Sequence, residues 1–139
     1  MTVVATVTDA QYRRLLAFRV GLRRFLRWSE QQAEAGGVTS AWHQLLLAIR
    51  GFDDPRGPTI GDVAGLLLLQ HHSAVGLVDR AVSAGLVRRV PDPDDHRVVR
   101  LSLAALGRER LEALSALHLE ELRRLSPSMR ALWRGLEST

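Results

Sequence analysis

The chain contains no cysteine. Disulfides, zinc sites built on thiolates and sensing through cysteine oxidation are therefore excluded. Lysine is absent as well, so all 19 basic residues are arginine. Arginine suits phosphate contacts and groove insertion, but a chain-wide preference reflects base composition and marks no site. Long apolar runs are also missing. The longest, residues 45–49 and 63–69, are too short to span a bilayer. The start Met1-Thr2-Val3-Val4 has neither a basic region nor a long apolar stretch. No secretory signal is read there, and a cytoplasmic location is expected.

What is present suits one compact globular domain of 139 residues, 46% of them hydrophobic and 24% charged. Net charge is +4. A basic balance is compatible with nucleic acid, but its placement matters more than its total. Most of the excess lies in residues 1–50. Residues 59–103 carry five arginines against five aspartates. Bulk charge therefore does not argue for DNA binding by that stretch; geometry has to.

Residues 8–35 read as one long helix. Thr8 or Asp9 is placed to cap it, Phe18, Leu22, Phe25 and Leu26 recur at helical spacing, and Gly36-Gly37 ends it. A second helix is expected from Thr39 or Ser40 to about Phe52, followed by a turn-rich stretch 53–58. Thr59 precedes a short helix 60–67, with Asp62 completing a weak capping box. A further helix is expected over 71–84, ended by Gly85. Residues 86–90 and 97–103 read as strands around a polar turn 91–96. Helical periodicity returns from Ala105 to about Leu125, and Pro127 is expected to start a separate short helix ending near Glu137.

Two short helices followed by a hairpin form a winged helix-turn-helix. The expected fold is mainly α with a small β-hairpin wing, its core at 59–103, flanked by N- and C-terminal dimerisation helices at 8–35 and 105–137. All 139 residues are taken as a single domain. The long helices carry more apolar surface than the small module covers, which predicts a homodimer built from both chain ends.

In such a module the N-terminal residues of the second short helix face the bases in the major groove. Here they are Gln70, His71, His72 and Ser73. Gln and His offer donors and acceptors to base edges, and Ser reaches a phosphate. Gly76 permits close approach of a backbone or sugar, and Arg80, one turn on, is placed for a phosphate. His71 and His72 are also readable as surface residues capping a helix. A metal site is disfavoured, because adjacent helical histidines point about 100° apart. At the hairpin tip, Asp92, Asp94 and Asp95 would repel DNA if they faced it. They are expected to turn toward backbone amides or arginines while His96 and Arg97 project, Arg97 toward a narrow minor groove. The plainer alternative is a solvated turn with local ion pairs.

Several stretches, taken in order, resemble the MarR family of bacterial regulators. They are Thr59-Ile60-Gly61-Asp62-Val63-Ala64, Ser73-Ala74-Val75-Gly76-Leu77-Val78-Asp79-Arg80, Gly85-Leu86-Val87-Arg88-Arg89 and Asp92-Pro93-Asp94-Asp95-His96-Arg97, then Leu101-Ser102-Leu103 and Gly107. Gly37-Val38-Thr39-Ser40-Ala41-Trp42 is similar to the start of the family's second helix. The resemblance implies a triangular homodimer on pseudo-palindromic double-stranded DNA, with Asp95 supporting the wing and Arg97 in the minor groove. His96 stands where arginine is common, and Ala104 where threonine usually caps the next helix.

The resemblance also implies release of DNA by a small aromatic or anionic effector. Candidate lining residues are Trp28, Trp42, His43 and His118, although residues of each kind are more often core or interface packing. No catalytic residues, cofactor or metal ligands are assigned. There is no Gly-rich phosphate loop or nucleophile elbow, and the five histidines lack metal spacing. The aspartates of the hairpin tip lack the glycine and terminal glutamate of a calcium loop. The preferred function is a ligand-responsive transcriptional regulator on duplex DNA, with repressor preferred over activator; the rivals are a winged-helix protein-interaction module and a small-molecule-binding protein without DNA-binding activity.

Overall fold

A computed structural model of the chain describes residues 5–137. The reading of the first four residues, and the two ends of the 1–139 domain range, lie outside the described residues. The element order is α1 (Asp9–Ala35), α2 (Ser40–Arg50), α3 (Ile60–Leu67), α4 (His71–Ser83), β1 (Val87–Pro91), β2 (Val99–Leu103) and α5 (Ala105–Glu137). A mainly helical chain with a two-stranded hairpin is the fold class expected from the sequence. The chain forms two compact units, one comprising Met1–Gln31 with Ala116–Thr139, the other Gln32–Ser115.

The second unit holds the winged helix. Its helix starts are set by local chemistry. The Thr39 hydroxyl accepts the Trp42 amide, and Thr59 and Asp62 form a reciprocal capping box. Each cap satisfies amides that the first helical turn leaves unpaired, and a cap of this kind contributes about 1 kcal/mol. α4 ends where Gly85 enters the left-handed region at φ 77°, which lets the Leu86 amide bond back to the Ala81 carbonyl. Between α3 and α4 the same backbone conformation falls on Leu68, at φ 55°. No glycine marks that turn, and its left-handed residue was not foreseen.

The buried core of this unit joins Leu45, Leu46 and Ile49 of α2, Val63 of α3, and Leu77 and Val78 of α4. Val87, Leu101 and Leu103 bring the hairpin into the same core, and Leu111 and Leu114 bring the first turns of α5. Burying side chains of this size contributes roughly 1.5–3 kcal/mol each before entropy is counted. The strands pair antiparallel from Val87 with Leu103 to Pro91 with Val99. β2 therefore begins two residues later than the sequence suggests. Arg97 and Val98 belong to the turn, where Val98 donates to the Asp95 carbonyl and accepts from the Asp92 amide. The start of α5 is tied by Arg108. Its amide donates to Ala104 and its guanidinium to Leu103, both at carbonyl oxygens.

The first unit consists of the greater part of α1 and the later turns of α5. α1 opens with a reciprocal pair, in which Thr8 Oγ1 accepts the Gln11 amide and Gln11 Oε1 accepts the Thr8 amide. α5 runs without interruption through Pro127, which corrects the expected break into two helices. Proline's fixed φ is helical, and it removes one bond, to the carbonyl four residues earlier. Leu122, Leu125, Met129 and Leu132, on both sides of Pro127, line one groove with Ala17, Leu22 and Phe25 of α1. That shared face favours continuation.

Candidate nucleic-acid interface

α4 presents its first turn to solvent. Gln70, His71, His72 and Ser73 are all exposed, while Ala74, Leu77, Val78 and Ala81 are buried beneath them. Gln70 is the residue before the helix, and its side chain makes no capping bond. Its amide group is thus not spent on the fold. The backbone amides of the first turn point out of the helix with no acceptor from a previous turn. An exposed polar turn with outward amides matches the needs of phosphate and base-edge recognition.

Further along the same helix, Arg80 is exposed and Gly76 half-buried. A Cβ at position 76 would come within 3.1 Å of Arg80 Nη1. The bare glycine therefore lets the guanidinium lie back along the helix surface. Asp79, beside Arg80, is engaged by Arg89 of β1 in a close ion pair. That pair links the exposed side of α4 to the hairpin and offsets one acidic charge at the surface.

The hairpin tip engages the carboxylates of Asp92 and Asp95 within itself. The Asp92 side chain is 3% exposed. Its Oδ1 accepts the amides of Asp94 at 2.8 Å and Asp95 at 3.1 Å, and its Oδ2 accepts Arg100 Nε at 2.9 Å. These bonds, the Asp94 amide first, hold the Asp92 carboxyl below the usual carboxylate range against the effect of burial. Asp95 accepts Arg97 through two side-chain bonds, Nε to Oδ1 at 3.0 Å and Nη2 to Oδ2 at 3.1 Å, and takes the Arg97 amide at 3.1 Å. The Arg97 bonds lower the Asp95 pKa and raise that of Arg97. Arg97 is nonetheless 90% exposed, and His96 beside it is exposed too. As expected, Asp92 turns inward, Asp95 turns onto Arg97, and His96 and Arg97 face outward; Asp94 departs from the expectation, since it is exposed and only its backbone amide enters these bonds. The arrangement also explains how a stretch of zero net charge presents arginine: Asp79, Asp92 and Asp95 are each bonded to an arginine, two of which remain at the surface.

Arg100, Arg56 and Gly57 were not singled out in the sequence. Arg100 Nη1 donates to the Gly57 carbonyl at 3.1 Å, and Arg56 Nη1 stands 3.6 Å from Asp92 Oδ2. Arg56 also chelates Asp54, whose pKa falls to about 2, mainly through that side-chain bond. Gly57, at φ 86°, lies so close to the Leu101 carbonyl that a Cβ would overlap it. The only local signal was a glycine between Pro55-Arg56 and Pro58; its partner lies on β2.

Of the four residues considered for an effector, two meet within the first unit. Trp28 and His118 have ring centroids 4.9 Å apart, Phe25 stacks on Trp28 at 6.0 Å, and Ser29 Oγ lies 2.7 Å from His118 Nε2. Trp42 and His43 belong to the second unit, Trp42 half-buried against its core and His43 buried. Phe25 and Ser29 are the members of the ring cluster that sequence reading left out, although Phe25 lies one turn before Trp28.

Two helices joined by a tight turn, followed by a two-stranded hairpin on the same core, define the winged helix-turn-helix class. The MarR family model matches residues 36–98. An uncharacterized HTH-type transcriptional regulator of Bacillus subtilis, YsmB, is 37% identical over 65 residues. That match covers 47% of this chain and 44% of YsmB, less than half of that relative's length. Among solved structures, a MarR family transcription regulator is similar at a TM-score of 0.74 and 22% identity, over 86% of this chain and 78% of that one. AbsC of Streptomyces coelicolor, a MarR family transcriptional regulator, is similar at 0.71 and 17%, over 98% of this chain and 100% of AbsC. A mutant of S. aureus MepR bound to oligodeoxyribonucleotide is similar at 0.68 and 19%, over 88% and 94%. At these identities the structures establish the fold. The MarR resemblance read from the sequence is borne out.

Proposed function

We propose that this protein is a transcriptional regulator that binds double-stranded DNA as a homodimer on a pseudo-palindromic operator. The observation that carries the reading is the exposed first turn of α4. Gln70, His71, His72 and Ser73 stand on a buried base with the Gln70 side chain unspent. In this reading they meet base edges and phosphates in the major groove, with Gly76 and Arg80 along the adjoining backbone. Arg97 and His96 reach the flanking minor groove, and Asp95 orients Arg97. The MarR family match over residues 36–98 and the DNA-bound MepR structure support the assignment.

Homodimerisation is supported by the first unit. Leu15, Leu16, Leu26 and Leu119 are exposed, as are Leu22, Leu122 and Trp133 at the rim of a largely apolar groove of about 960 Å³. Covering such a surface with a second copy is the economical solution for a helix that cannot bury its own stripe. A regulator of this kind acts in the cytoplasm and carries no catalytic chemistry. No helix among the described residues is long and apolar enough to cross a membrane. Repression relieved by a small aromatic or anionic effector completes the reading, with Trp28 and His118, and Trp42 and His43, as the lining candidates.

Selection of bound sequences from random duplex DNA tests this. The expected product is an inverted repeat whose half-sites are centred about one helical turn, roughly 10 bp, apart. Binding should weaken steeply between low and physiological salt, as phosphate contacts require. Recovery of no enriched sequence, with binding insensitive to salt, would overturn the proposal.

A further inference from the structure

The hairpin is held at two levels. At its base, Val87, Leu101 and Leu103 are buried. Beyond Leu101, Val90 and Pro91 of β1 are exposed opposite Arg100 and Val99, and an isolated two-stranded sheet is marginally stable at best. The outer half is tied instead by a chain of polar groups. Asp92, inside the turn, receives Arg100 Nε, and the same guanidinium donates through Nη1 to the Gly57 carbonyl, 43 residues away in sequence. Arg56 stands against the same carboxylate oxygen and is itself chelated by Asp54. One arginine thus spans from the hairpin to the connector between α2 and α3.

We infer that Arg100, seated on Asp92, is a positioning residue that aims the Arg97 finger. The inference rests on the DNA-binding reading of the wing given above. Arg100 itself is only 14% exposed, against 90% for Arg97, so it is poorly placed to meet a phosphate. The carboxylate that receives the strut also shapes the tip, because Asp92 accepts the Asp94 and Asp95 amides. The tip therefore cannot turn relative to the connector without breaking a charge-assisted bond in a sheltered site, where such bonds are strong. The pair of Arg97 with Asp95 sets the finger's own rotamer. The Arg100 strut sets where the finger points.

A double-mutant cycle on the full chain tests the assignment. Arg97→Ala, Arg100→Met and the double variant are titrated with the duplex recovered from random DNA. Each single variant should bind roughly tenfold more weakly, and the double variant no more weakly than Arg97→Ala alone. A misaimed finger and a missing finger lose the same contacts, so the two effects do not add. Additive losses would overturn the inference, since Arg100 would then act on DNA directly or through general stability. Amide exchange of the free protein gives an arm independent of DNA. Exchange at residues 94–98 should accelerate in Arg100→Met while α4 keeps its protection. Unchanged exchange at the tip, or acceleration throughout α4, would also overturn it. If Arg97→Ala binds as tightly as the parent, the DNA reading of the wing fails, while the exchange arm still judges the strut.

Discussion

Gly107 of α5 lies flat against the carbonyl of Leu86, so closely that a Cβ at position 107 would overlap the oxygen. That carbonyl also accepts the Ala104 amide. The approach lets the first turn of α5 close over the base of the hairpin, beside Leu46 of the core. In an ordinary helix interior, glycine to alanine gains up to about 1 kcal/mol. Here a backbone must move, and overpacking of this kind costs roughly 1–3 kcal/mol. Gly107→Ala should therefore destabilise the protein. Urea unfolding decides: a raised midpoint would show that α5 does not press on Leu86.

Leu68 has the opposite sign. It holds a left-handed conformation that costs a residue with a Cβ roughly 1–2 kcal/mol, and its side chain is 92% exposed. Almost no packing is lost by removing it. Leu68→Gly relieves the strain but adds freedom to the unfolded chain. A net gain of about 0.5–1 kcal/mol is expected, read as a higher thermal midpoint. A lower midpoint would mean that Leu68 makes contacts the free chain does not display.

Gly76 separates stability from function. Alanine there should stabilise α4 by up to about 1 kcal/mol, while its methyl group crowds the Arg80 guanidinium. If Arg80 grips a phosphate, affinity for DNA falls several-fold although the fold is firmer. The salt slope should flatten by about one counterion. A variant that is more stable and binds equally well would remove Arg80 from the interface.

Arg97→Ala is expected to weaken DNA binding by roughly tenfold and to leave the oligomeric state unchanged. The residue is solvent-exposed, and its side chain is bonded to Asp95 of the same turn. Sedimentation of the free variant checks the second half of the statement. A change in sedimentation together with the affinity loss would make the wing part of the assembly rather than a DNA contact.

The hairpin and its connector should loosen in acid. Asp54, Asp92 and Asp95 all have folded-state pKa values below the ordinary 3.8, Asp54 at about 2. A depressed carboxyl pKa contributes stability that is present above the unfolded value near 4. That contribution fades as pH falls from about 4 through the folded values. Carboxyl carbon shifts followed from pH 6 to pH 2 should report these three titrations below 3.8. A midpoint at or above 3.8 for Asp92 would mean that its amide and arginine bonds are not held in solution.

Much of the fold is written locally. Thr39, Thr59 with Asp62, and Gly85 mark helix ends because their bonds close within a few residues. The hairpin and the bounds of α3 follow from the same kind of signal. Pro127 misled for the same reason: as a local mark it suits a helix start, and only the common face of Leu122 and Met129 shows that the helix continues. The inward turn of Asp92 was expected because three aspartates cannot face DNA. Its partner could not be named, because Arg56 and Arg100 lie on either side of it along the chain with equal claims. Leu68 was missed because no local residue announces a left-handed turn when glycine is absent.

From the order of residues alone came the helix-turn-helix, the wing, the outward cluster of Gln70, His71, His72 and Ser73, and the exclusion of thiol chemistry. Those follow from periodicity, capping and composition, which act over a turn or two of chain. Folding in three dimensions settled how the net-neutral segment spends its acids, pairing Asp79 with Arg89, Asp92 with Arg100, and Asp95 with Arg97. It also settled that the wing leans on Gly57. Charge pairing depends on distances between segments far apart in sequence, and no local pattern encodes them.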